Sequence, residues 1–192
     1  LQSQSGPKSS HETKEGRDFV AARMSKLDAS GIRKVFDLAS QLENPINLSI
    51  GQPDFDVPEP VKGAAVEAIE AGRNRYTVTQ GIPELHDKLR EMLASQKGVR
   101  ADHTLITSGV SGGLLLSFLV LLNQDDEVLI PDPYFVMYKH LANLAGGRPV
   151  FVDTYPHFRI TADCVERHLT PRSKLLILNS PCNPTGMVTT KE

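Results

Sequence analysis

The sequence predicts an α/β fold, a three-layer sandwich in which helices flank a mostly parallel sheet. From about residue 104 onward, strand-like runs alternate with helix-like runs of about ten residues, the pattern of βαβ units. Those strand-like runs are mostly apolar, as strands covered on both faces are. Three of them end in Gly- or Pro-rich loops, at the carboxyl ends where open α/β sheets take ligands.

The elements follow from local signals. Asp18 to Leu42 holds helix-forming stretches broken at Ser30-Gly31, and Asn47 to Ile50 reads as a short strand closed by Gly51-Gln52-Pro53. From Pro60 to Ala71, Val61, Ala64, Ala65, Ala68 and Ile69 fall at helical spacing, with Gly72 as the stop. Ile82-Pro83-Glu84 opens a second helix, with Pro83 suited to its first turn. Leu85, Leu89, Met92 and Leu93 line one face, and Gly98 ends it. Then come a β-type run at Thr104–Thr107, an apolar helix at Gly112–Leu122 and a strand at Glu127–Ile130. A helix at Tyr134–Ala145, stopped by Gly146-Gly147, precedes a strand at Val150–Val152, a helix at Ala162–Leu169 and a strand at Leu175–Leu178. A sheet ending there reads as unfinished, so the expectation is the N-terminal part of a longer protein.

Composition narrows the function classes. Lys and Arg number 21 against 23 Asp and Glu, so no strong field favours nucleic acid or an anionic membrane. The longest mostly apolar run, Leu114 to Leu122, falls far short of the ~20 residues that span a bilayer. The first residues, LQSQSGPKSSHETKEG, are polar and lack the apolar centre of a signal peptide. Cys164 and Cys182 show no C-x-x-C spacing, which favours reduced thiols and a cytoplasmic setting. The six histidines form no metal-ligand pair such as H-E-x-x-H, so no metal is expected.

Three loops carry candidate chemistry. Ser108-Gly109-Val110-Ser111-Gly112-Gly113 lies between a strand-like run and a helix. Its free amides and the helix dipole suit a phosphate, and the Ser111 hydroxyl adds a donor. The pattern is neither G-x-G-x-x-G nor a Walker loop, and a Gly-rich turn also serves as a packing device. Pro131-Asp132-Pro133-Tyr134-Phe135 is stiffened by two prolines and brings Phe135 to the start of the next helix, where it could stack on a flat ligand or join the core. In Asn179-Ser180-Pro181-Cys182-Asn183-Pro184-Thr185-Gly186, the prolines restrict Ser180 and Asn183 to extended conformations. The Asn183 amide both donates and accepts, so it suits a phenolate oxygen or a carboxylate. Cys182 within this loop reads as a small buried side chain.

Taken together, SGIRKVFDLA (30–39), NLSIGQPDFDVPEPV (47–61), RYTVTQGIPELHDKLREML (75–93), ITSGVSGGL (106–114), DEVLIPDPYFVMY (126–138), LANLAGGRPVFVD (141–153) and LTPRSKLLILNSPCNPTG (169–186) resemble the class I and II aminotransferases, the aspartate aminotransferase-like enzymes that use pyridoxal 5′-phosphate (PLP). The likeness runs from about Ser30 to the last residue, with its segments in the family's order.

The resemblance implies roles residue by residue. Val110 and Ser111 match positions that hold the PLP phosphate, and Phe135 matches the aromatic that stacks on the pyridine ring. Asn183 matches the asparagine at the ring's phenolic oxygen, close to the substrate carboxylate. Gly51 matches a glycine whose backbone lies against that carboxylate. Tyr76 matches a tyrosine that reaches the phosphate of the neighbouring subunit's cofactor, which implies a homodimer with shared active sites. Cis bonds at Asp132-Pro133 and Asn183-Pro184 are also implied; an X-Pro bond allows them at a cost of only about 0.5–1 kcal/mol.

The family's Schiff-base lysine falls beyond Glu192, so no catalytic residue is expected in this chain and these residues alone are expected to be inactive. The implied fold is the PLP-transferase large domain, incomplete here: a tail at 1–17, an arm of the small domain at 18–45, and the first part of the large domain at 46–192. The implied activity moves an amino group between an amino acid and a 2-oxo acid. A PLP-dependent C–S lyase and a non-catalytic protein that retains the fold are the alternatives.

Overall fold

The computed structural model describes residues 19–27, 38, 42–43, 46, 51 and 53–190. The expected strand at 47–50 and the tail at 1–17 lie outside the described residues, as does most of the expected arm. Of that arm, Ala22–Lys26 forms a 3-10 turn.

Strand β1 (Glu127–Asp132) is the centre of a three-stranded, all-parallel sheet, with β2 (Arg148–Asp153) on one side and β3 (Ser173–Leu176) on the other. Its side chains alternate between two cores, as a strand covered on both faces requires. Val128 and Ile130 face Phe118, Leu122, Leu141 and Ala142, while Leu129 faces Val152 and Cys164. The first core is roofed by α3 (Gly109–Leu121) and α4 (Met137–Leu144), the second by α5 (Ala162–Glu166). Helices on both faces of a parallel sheet give the expected three layers.

Upstream, α1 (Glu59–Glu70) and α2 (Pro83–Lys97) form close to the expected bounds, each with proline in its first turn. Their expected apolar faces are largely open: Val61, Ala64, Ala65, Ile69, Leu85 and Met92 are exposed.

Several boundaries depart from expectation: α3 starts at Gly109 rather than Gly112, and β1 and β2 run to Asp132 and Asp153, two residues and one residue past the expected ends. Thr104–Thr107 forms no strand among the described residues; Ile106 donates to the Gln80 carbonyl at 2.9 Å instead. Helix α4 starts at Met137 rather than Tyr134, because Pro133 keeps Asp132 extended and a turn, Tyr138 N to Phe135 O at 3.0 Å, must close first. Helix α5 stops early, as His168 and Leu169 bond back three residues, to Val165 and Glu166. Strand β3 pairs from Ser173, two residues before the apolar run, and Ile177 N extends the ladder to Leu129 O at 3.0 Å.

The amino ends of the strands meet at Glu127, whose side chain is fully buried. Its carboxylate accepts from Thr170 Oγ1 at 2.7 Å and Ser173 Oγ at 3.1 Å, and pairs with Arg148 and, at 3.5 Å, Arg172. The Thr170 bond above all, with those from Arg148 and Ser173, outweighs burial and holds the carboxyl at about 2.

Candidate functional site

The opposite, carboxyl rim of the sheet carries the site. The loop after β3 is built by its own hydrogen bonds. Asn179 Oδ1 accepts from the Asn183 backbone amide at 2.8 Å. Cys182 N donates to Met187 O at 2.8 Å, and Gly186 N donates to Cys182 O at 2.7 Å. Ser180 Oγ accepts from Thr189 N at 2.9 Å. Asp132-Pro133 and Asn183-Pro184 are cis, as expected, and so are Tyr155-Pro156 and Ser180-Pro181. With its backbone so held, Asn183 is exposed, and its carboxamide makes no hydrogen bond among the described residues.

Below this rim a cavity of about 40 Å³ runs between Tyr134, Tyr138, Thr154, Asn179, Cys182 and Asn183. That is room for a few waters and no more, so a cofactor ring would rest on the rim rather than inside. Tyr138 connects the two loops. Burial raises its phenol above the ordinary value, and Cys182 adds to the rise. Its ring meets that of Phe135 edge-on, with centroids 5.7 Å apart. Phe135 is half-buried and lies in the turn ahead of α4, not at the helix start as expected. Cys182 is half-buried rather than buried, and both cysteines are free.

Val110 and Ser111 sit in the first turn of α3, both exposed. Ser108, at the capping position, makes no side-chain cap bond, so the leading amides of the helix are not taken by it. Gly109, at φ +66°, makes the turn into the helix. Helix α3 spans 13 residues and feeds β1, six residues long, through a tight connection at 122–126. Leu114 and Leu115 of this helix pack against the core that Val128 and Ile130 build, so the helix lies over β1.

The structure places Asn183 on the cavity and Phe135 against Tyr138, which lines it, while Val110, Ser111, Tyr76 and Gly51 are exposed outside it. Sequence reasoning missed Asn179 and Tyr138; the four-residue spacing of Asn179 and Asn183 in one loop was the available signal. The donor set fits PLP: open helix amides for a phosphate, a ring face at Phe135, and an uncommitted carboxamide at Asn183 for the phenolic oxygen. Among the described residues, no cluster of His, Cys, Asp or Glu could hold a metal, and no helix is long and apolar enough to cross a membrane.

Several known proteins are similar to this chain. The chain is 42% identical over 178 residues to the aromatic-amino-acid aminotransferase 2 of Thermococcus litoralis, covering 90% of this chain and 46% of that protein. It is 40% identical to an aspartate aminotransferase of Pyrococcus abyssi, with the same coverage. The solved aspartate aminotransferase of Rhizobium meliloti superposes with a TM-score of 0.85 at 35% identity, over 89% of this chain and 45% of that one. The chain thus spans about half the length of the relatives it matches. The family described as aminotransferase class I and II, whose enzymes are PLP-dependent, matches residues 43–192, and this chain belongs to it.

Proposed function

We propose that the protein carrying this chain is a PLP-dependent aminotransferase that moves an amino group between an amino acid and a 2-oxo acid. The observation that carries this reading is the uncommitted Asn183 carboxamide on the cavity, above a backbone held by Asn179. Residues 46–192 are then the first part of the cofactor-binding domain, 18–45 an arm and 1–17 a tail.

Bound at the rim, PLP supplies an electron sink for the bonds at the amino acid's α-carbon. The chain's own residues position it. Val110 and Ser111 hold the phosphate with backbone amides and a hydroxyl. Phe135 sets the ring plane. Asn183 steadies the phenolic oxygen and orients the substrate carboxylate, against which the Gly51 backbone lies. Tyr76 stands exposed because its ligand is the phosphate on a second subunit, so the working unit is a homodimer. Small-molecule substrates, no nucleic acid, no membrane and a cytoplasmic setting complete the reading.

The test uses the full-length protein. It should take up PLP, show an absorbance band that borohydride abolishes, and convert an amino acid only when a 2-oxo acid acceptor is present. Asn183→Ala should weaken PLP binding about tenfold or more, the loss of a hydrogen bond to a charged group. A protein that takes up no PLP overturns the proposal; release of thiol or ammonia without an acceptor would reassign it as a lyase.

A further inference from the structure

His86 stands on α2, whose other side chains are mostly exposed, yet its ring is only 9% exposed. Burying a polar ring costs free energy unless it is hydrogen-bonded. Its Nδ1 shares a hydrogen bond with Thr104 Oγ1, in the segment ahead of α3. Gly81 closes the other side. A Cβ there would lie 3.1 Å from His86 Nε2 and inside the Ile106 side chain, and its φ of +119° also favours glycine. Ile106 N donates to Gln80 O at 2.9 Å, and Gly81 N donates to Val78 O at 3.0 Å. The turn at 78–81, the His86 ring and residues 104–106 are thus bonded into one latch.

From the latch the chain reaches α3 by a short, tied path. Thr107 Oγ1 donates to Gly109 O and Gly109 N donates to Thr107 O, both at 2.8 Å. A Cβ on Gly113 would come within 3.3 Å of Thr107 Oγ1, so the helix start packs closely on Thr107. We infer that His86 is a positioning residue that, through its bond to Thr104, fixes the first turn of α3 for the cofactor's phosphate. This rests on the phosphate role proposed for Val110 and Ser111. The same latch holds the turn that follows Tyr76, so the phosphate turn and the Tyr76 segment are positioned together.

The test compares His86→Phe, which keeps a ring and loses the bond, His86→Asn, which places an amide near Nδ1, and Thr104→Val. In the full-length protein, two readouts are measured: affinity for PLP against pyridoxal, which lacks the phosphate, and hydrogen exchange of the 104–113 amides without cofactor. His86→Phe and Thr104→Val should each weaken PLP about tenfold and leave pyridoxal within about twofold. Both should speed exchange at 109–112, and the double variant should be no weaker than either single one. His86→Asn should recover most of the PLP affinity. Unchanged PLP affinity, equal losses for PLP and pyridoxal, or unchanged exchange would each overturn the inference. Thr104→Val decides it if His86→Phe does not fold. A wild-type protein that takes up no PLP overturns the proposed function and the phosphate role together, whereas PLP uptake unaffected by the variants overturns only the role of His86.

Discussion

Asn179 holds Asn183: the Asn179 Oδ1 accepts from the Asn183 backbone amide at 2.8 Å across the loop after β3. One asparagine thereby spends its side chain to fix the backbone beneath another, whose side chain stays available. Asn179→Ala should cost about 1 kcal/mol of stability, the net worth of one such bond. It should weaken PLP by more than that bond alone explains, since the rim loop loses its brace. Thermal unfolding and PLP titration, run on the same variant, separate the two effects.

Glu127 makes the fold sensitive to acid. Its carboxyl is held at about 2, below the ordinary 4.5, first by Thr170 and then by Arg148 and Ser173. A depressed carboxyl contributes stability that is complete above the ordinary value and lost as pH falls through the folded value. Stability should therefore decline between about pH 4.5 and about pH 2. Glu127→Gln should lower stability at neutral pH and flatten that decline, as read from denaturant midpoints across pH.

Leu129 fills the second core from the central strand and is fully buried beside Val152 and Cys164. Leu129→Ala should cost about 3 kcal/mol, combining lost transfer energy with the cavity left behind. Chemical denaturation measures it, and a loss below ~1 kcal/mol would mean that α5 collapses onto the gap.

Two glycines should respond with opposite sign. Gly81→Ala forces a side chain into Ile106 at a positive φ, and should destabilise by about 2 kcal/mol or more. Gly63, inside α1, has nothing near its missing Cβ, so Gly63→Ala should stabilise by about 0.5–1 kcal/mol. Paired melting curves check both.

Much of this was legible in the sequence because it depends on local pattern. The apolar run around Val128 to Ile130 identifies its strand, and the apolar helix expected from Gly112 is present, though it begins three residues earlier. Ser111, Phe135 and Asn183 were candidates from their loops alone, while Val110, Gly51, Tyr76 and the two expected cis bonds came from resemblance. What the sequence hid depends on distant partners. Thr104–Thr107 has β-type residues, yet strand status needs a neighbour, and its bonds go to Gln80 and His86 instead. The late start of α4 follows from Pro133, which keeps Asp132 extended. The bond from the Asn183 amide to Asn179 depends on how the loop folds back on itself.

The two ends of the parallel strands serve different masters. At the amino end, one buried carboxylate gathers side chains from both neighbouring strands or their approaches, Arg148 on β2 and Thr170 and Ser173 at β3, and leaves nothing over for a visitor. That anchorage sits a full strand length from the rim. Loops above it are therefore free to diverge in what they recognise without loosening the foundation, and selection for a new substrate need not begin by risking the fold.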